Sequence, residues 1–355
     1  LMSKRDLAAF SQAMGSMGRG IAQMSGQLED AEFIARESGR PIIWNALMAD
    51  GALNQHGVAK VSAQEAIAHI TRLNEKEGVR VYAQAQTVNF ASQFTFEDYN
   101  LADAIPAWKE ICTGTVAEKI EKFKDPERRK ILKAIHAERG GLFGSGYVLD
   151  RIKVAWIPLD VPNGLELQKS YEGFTLGELA ERENRHPIDV MLDISVWGAL
   201  QSGFETEVIE TPTENMREII KAPTALPGIS DGGAHTKFVT TGRFPTDLLA
   251  LWSRDNDLLS LEEAHWRLSA YPAQAVGLRD RGALSVGMAA DIIVYDLAAL
   301  GSLPHERLWD YPADEWRLVQ KAKGYERIIV NGKTTFINGE CTAETPGKLL
   351  RHGSA

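Results

Sequence analysis

The residues best placed to do chemistry lie in one short run, Ser230-Asp231-Gly232-Gly233, which closes the apolar stretch 225–230, "ALPGIS". Two readings of Asp231 compete. Asp and Gly are common turn formers, so the run serves to reverse the chain. In a parallel α/β fold the same run has a second meaning, because the C-terminal ends of strands are where ligands and catalytic groups gather. An acid there, followed by glycines that permit close backbone approach, can hold a metal or take a proton. His235 follows four residues later, within reach of the same rim or simply as a surface histidine. Arg243 stands immediately before Phe244-Pro245. Its planar fork suits a substrate carboxylate, although a solvated arginine at a loop end has the same sequence.

The elements that must position these groups alternate between strand-like and helical segments. Strand candidates are 20–25 (GIAQMS), 41–48 (PIIWNALM), 79–86 (VRVYAQAQ), 153–158 (KVAWIP), 204–210 (FETEVIE) and 225–230. Ser62 with Glu65, Thr115 with Glu118, Thr175 with Glu178 and Ser260 with Glu263 are spaced as capping boxes. In such a box the hydroxyl and the glutamate each satisfy one orphan N–H at a helix start. After Ser62, residues Ala66, Ile67, Ile70 and Leu73 recur at helical spacing, a stripe to lay on a sheet. Strand, crossover helix and strand in repetition give a parallel sheet covered by helices, either doubly wound or closed into a barrel. Residues 88–150 read as a long helical or irregular insertion, and 153–158 are expected to belong with it. After about Gly282 the texture becomes β-rich, and Asn331-Gly332 is spaced as a type I′ hairpin turn.

The ordered blocks "GISDGGAHTKFVTTGRFPTDLLALWSRD", "LSLEEAHWRLSAYPAQAVGLRDRGALSVGMAADIIVYDL" and "GYERIIVNGKTTFINGE" resemble the carboxyl half of the amidohydrolase superfamily. More narrowly, they are similar to the N-acyl-D-amino-acid deacylase (D-aminoacylase) family, and "GSMGRGIAQMSG", "ESGRPIIWNALM" and "EGVRVYAQAQTV" look like its middle barrel strands. The resemblance implies an α/β fold: an incomplete (β/α)8 TIM-type barrel over residues 1–281 and a small C-terminal β-sandwich portion over 282–355. It implies hydrolysis of the amide of N-acyl D-amino acids with zinc as cofactor, one ion in a complete site. Asp231 matches the family's metal-binding, proton-shuttling acid, with Ser230, Gly232, Gly233, His235 and Arg243 around the substrate.

The departures shape this expectation. The chain has eight histidines, and no two are separated by a single residue, so the family's His-x-His pair is absent. At most five or six of eight barrel strands are expected. Where better studied deacylases carry histidines, this sequence has Asn45, Gln84 and Gln86, neutral amides that bind zinc poorly and suit barrel-interior hydrogen bonding. Hydrolysis of a cyclic amide, or a non-catalytic subunit, remain alternative readings.

Composition bounds the partners. With 355 residues, 44% hydrophobic content and a net charge of -9, the chain reads as a soluble globular protein that repels nucleic acid. No apolar run approaches the roughly 20 residues of a membrane span. The amino end lacks a signal-peptide core, and the two cysteines, Cys112 and Cys341, suit a reducing cytoplasmic setting. Missing barrel strands would leave sheet edges, so an oligomer or a partner chain is expected. "GSMGRG" and "GGLFGSG" read as turns, Glu205, Glu207 and Glu210 as solvent-facing, and Trp252, Trp266 and Tyr271 as packing residues.

Overall fold

The computed structural model describes residues 2–49, 61–89, 91–98, 105–139, 148–206, 208, 210–232, 235–237 and 241–352. Four strands, β1 (Ala22–Ser25), β2 (Ile42–Leu47), β3 (Val81–Gln86) and, far along the chain, Ala225–Gly228, form one parallel sheet. The last of these pairs directly with β3, placing Gln86 opposite Gly228. Period-2 alternation then gives the sheet two unlike faces. Ile42, Trp44, Val81, Ala83 and Ala85 are buried with apolar residues of helices Leu28–Ser38, Ala63–Lys76 and Thr213–Lys221, among them Ile34, Leu73 and Ile219. The opposite face carries Gln23, Ser25, Asn45 and Gln84.

The remaining two strand candidates do not join this sheet. The segments β4 (Gln93–Phe94), β5 (Lys153–Trp156) and β6 (Gly203–Glu205) make a separate antiparallel sheet in the order β4-β6-β5. With Ala225–Gly228 as β7, the parallel sheet therefore has four strands among the described residues, within the upper bound of five or six expected. The expected strand 204–210 shortens to β6 because its ladder partners are β4 and β5, and Phe204 turns into a second core. There Phe204 stacks on Phe94 at 5.6 Å and meets Phe96 at 6.0 Å, within a cluster that also holds Trp108, Phe123 and Ile152. Residues 92–206 thus form an excursion with its own interior.

Beyond residue 290 the strands are antiparallel: β8 (Ile292–Tyr295), β11 (Tyr325–Val330), β12 (Lys333–Ile337) and β13 (Glu340–Cys341) in one sheet, β9 (Gly301–Tyr311) and β10 (Glu315–Lys323) in a hairpin. Asn331 and Gly332, at φ 45° and 78°, link β11 to β12 with the two left-handed residues a type I′ turn requires.

The helix starts follow the cap signals. Ser62/Glu65, Thr115/Glu118 and Thr175/Glu178 form complete boxes. At Ser260 only half forms: Glu263 N–H donates to the hydroxyl at 3.2 Å, while its carboxylate accepts from Arg267. Trp252 is buried and donates to Thr87 O at 2.7 Å, as a packing residue should. Trp266 departs from that expectation: it is exposed, stacked on Tyr271 at 4.5 Å.

Candidate functional site at the end of the parallel sheet

The polar face of the sheet is built from facing amides. Gln23 on β1 donates to Gln84 Oε1 on β3, and Asn45 Nδ2 donates to Ser25 Oγ at 3.2 Å. Gln84 in turn lies over β7, where a Cβ on Gly228 would come within 2.8 Å of Nε2. Gln86 is buried and donates to Val88 O at 3.3 Å. These residues do the interior hydrogen bonding expected of them, with one exception. Asn45 Oδ1 is buried without a hydrogen-bond partner among the described residues.

β7 ends at Gly228, and the chain turns through Ile229 and Asp231, at φ 69° and 46°. Left-handed backbone at two non-glycine residues is uncommon and is held here by local bonds. Thr241 Oγ1 donates to Ser230 O at 2.6 Å, His235 N–H to Asp231 O at 3.0 Å, and Gly232 N–H to Ser230 Oγ at 3.4 Å. Ser230, Asp231 and Gly232 are exposed, and His235 is half-buried. Gly233 lies outside the described residues. Asp231 is therefore an exposed turn residue that lies just beyond the C-terminal end of a parallel strand.

Arg243 sits on the same side of the fold, capping helix Phe244–Asp247, whose first turn holds Pro245 as expected. Its Nη2 donates to Asn89 O, and its Nε lies 3.4 Å from Asp247 Oδ2. Most of the fork is thus turned into the protein. Asp247 is buried, and burial pushes its carboxyl above the usual range, Arg243 and Ser302 pulling the other way. Sequence reading passed over this acid because nothing in "FPTD" separates it from a solvated helix carboxylate.

Glu205 also departs from the expectation of a solvent-facing charge. It accepts from Gln93 Nε2 and faces a cavity beside the excursion sheet. Glu210 is exposed, whereas Glu207 and "GGLFGSG" lie outside the described residues.

Among the described residues, no three His, Cys, Asp or Glu side chains converge as a metal site. Asp231 brings one carboxylate, and its sheet neighbours bring neutral amides, a donor set that does not by itself fit zinc.

A helix-backed parallel sheet with an aspartate at the C-terminal end of its last strand defines the class: an α/β enzyme scaffold of the TIM-barrel type. The model of the amidohydrolase family matches residues 58–336, and the chain belongs to that family. Among curated proteins it is 28% identical over 186 residues to an N-acyl-D-glutamate deacylase of Alcaligenes xylosoxydans xylosoxydans, covering 52% of this chain and 34% of the relative. It is 26% identical over 186 residues to a D-aminoacylase of the same organism, covering 52% and 35%. The chain spans about a third of these relatives' length. A crystal structure of D-aminoacylase superposes with a TM-score of 0.53 at 18% identity, over 96% of this chain and 58% of that one. These solved neighbours share the fold, and the mixed α/β architecture expected from sequence is the one observed.

Proposed function

We propose that Asp231 is the acid–base group of an amidohydrolase that cleaves the amide bond of N-acyl amino acids, those of D configuration in particular. The observation that carries this reading is the delivery of Asp231 by β7 to the C-terminal end of the sheet whose open face holds Gln23, Asn45 and Gln84. The carboxylate accepts a proton from the water that attacks the amide carbonyl and returns it to the departing amine. Ser230, Gly232 and His235 line the approach, and Gly233 is assigned to the substrate with them from its sequence alone. Arg243 meets the substrate carboxylate through the part of its fork not engaged by Asn89 and Asp247.

A solved neighbour is described as having a binuclear metal centre. We assign a metal ion, zinc, as the cofactor of the complete site, with Asp231 as one ligand; the remaining donors among the described residues do not fit zinc. We divide the chain into the sheet-bearing unit 1–281 and the β-rich unit 282–355. We place it in the cytoplasm, where Cys112 and Cys341, neither of them in a disulfide, stay reduced. The outer edges of β1 and β7 have no strand partner among the described residues, which favours a homo-oligomer or a partner chain that covers them. Sedimentation as a well-behaved monomer would count against this assembly.

The test is release of free amine from N-acetyl-D-amino acids and their L-enantiomers, with and without added zinc, by the protein and by Asp231→Asn. Metal-dependent turnover lost in the variant supports the reading. One specific observation favours a non-catalytic role instead, the absence of a convergent metal-ligand cluster among the described residues, and zinc-independent inactivity toward every substrate would select it.

A further inference from the structure

The hairpin β9–β10 meets the excursion sheet around a cavity of about 720 Å³ whose walls carry Lys153, Lys169, Glu172, Glu205, His305 and Arg307. At its centre is a half-buried guanidinium in an aromatic corner. Arg307 lies 4.0 Å from the ring centroid of Trp156 and 4.9 Å from that of Trp316, the two indoles meeting edge to face at 5.9 Å. Both rings are fixed. Trp156 donates to Gln201 O at 3.0 Å and packs flat on Gly203, where a Cβ would come within 2.2 Å of the indole. Trp316 is buried, and the Lys237 ammonium covers it at 5.2 Å.

The two cations beside Trp316 are treated differently. Lys237 is paired with Asp98 and Glu315, at 2.5 and 2.7 Å. Arg307 has no ion pair or hydrogen bond among the described residues; its attractions are to the two rings and, at longer range, to Glu172. A guanidinium carries five N–H donors, and withdrawing them from water without an acceptor is unfavourable. Glu172 is engaged by Ile157 N–H at 3.2 Å and Glu205 by the Gln93 amide. His305 keeps surface open to the cavity, yet lost hydration pushes its pKa down, so it adds no charge near neutral pH.

We propose that this cavity binds a small organic carboxylate, which Arg307 grips with its planar fork between the two indoles. The size suits a small molecule. Glu172 and Glu205 on the same walls repel a polyphosphate, whereas a compact carboxylate reaches Arg307, with Lys153 and Lys169 adding positive field. The site adjoins the proposed catalytic rim. Leu318, on the cavity wall, donates its N–H to Thr236 O at 2.8 Å, in the loop that follows Asp231. The carboxylate accordingly belongs either to an acidic arm of the amide substrate or to a separate metabolite.

Titration calorimetry and tryptophan fluorescence on the full chain test this with glutarate, N-acetyl-D-glutamate and neutral glutaramide. Saturable binding of at least one carboxylate, no binding of glutaramide, and about tenfold or greater weakening in Arg307→Gln are expected. Should that variant misfold, Lys153→Gln is expected to weaken binding about two- to threefold, with wild-type affinity falling as salt rises. In the Asp231→Asn background, weakening of both N-acetyl-D-glutamate and glutarate by Arg307→Gln assigns the site to a substrate arm; weakening of glutarate alone assigns it to a separate ligand. Absence of saturable carboxylate binding by the wild-type chain, or equal affinity in Arg307→Gln, overturns the proposal. Glutarate has no amide to cleave, so its binding and the outcome of the hydrolase assay are independent.

Discussion

The rim around Asp231 and the cavity around Arg307 are joined by the backbone bond between Thr236 and Leu318, yet they are built in opposite ways. At the rim, a charged side chain is exposed and the positioning comes from backbone: positive φ at Ile229 and Asp231, and hydrogen bonds to Ser230 and Asp231 carbonyls. In the cavity, a charge is half-buried and the positioning comes from side chains, Trp156 locked by Gln201 and Gly203 and Trp316 buried beneath Lys237. The exposed position suits the proton exchange proposed for Asp231, and the walled one suits the ligand recognition proposed for Arg307. The first is supplied by the parallel sheet, the second by the excursion and the C-terminal hairpin.

The sharpest way to break this division of labour is Asp231→Asn. In the amine-release assay kcat/KM is expected to fall by about 10²- to 10⁴-fold, the range for removing an acid–base group, with carboxylate binding at Arg307 unchanged. Loss of both would show that the two regions do not act separately. Next in size is Phe204→Ala, which empties a fully buried position of the excursion core. It is expected to cost about 3–5 kcal/mol by urea denaturation. Two transitions, the first belonging to residues 92–206, would sharpen the comparison; a single shifted transition would show that the two cores unfold as one.

Smaller effects test how the sheet-backing helices are held. Ser62→Ala removes the hydroxyl of a complete capping box and is expected to cost about 1 kcal/mol. The smallest effect is a change in pH dependence. Burial raises the Asp247 carboxyl above 3.8, so its contribution to stability is full below that pH and is lost as pH rises through the raised value. Asp247→Asn is expected to flatten the acid side of the stability-versus-pH curve; identical curves for variant and wild type would remove this assignment.

Much of the scaffold was legible. Short apolar runs gave β1, β2, β3 and β7 because a strand buried against helices has a simple local signature. Three capping boxes closed because their partners lie three residues apart, whereas Glu263 was diverted by Arg267, four residues on and equally close on a helix. The turn at Asp231, just past the end of β7, was legible for the same local reason. The sheet membership of β6 was not, since an apolar run says nothing of which strand it pairs with. Arg307 left no trace either: Trp156 and Trp316 reach it from different sheets, and only the assembled fold brings them together. Arg243, read as a clamp, is also engaged with Asp247, four residues on, and with Asn89, an acceptor its own segment does not announce.

The direct pairing of β3 with β7 has an evolutionary consequence. More than a hundred residues depart from one strand and come back to the strand beside it, so the register of the ladder is indifferent to what the detour contains. Such a detour can be lengthened, trimmed or exchanged, and with it the walls of the cavity around Arg307, without altering the ladder that carries the turn at Asp231.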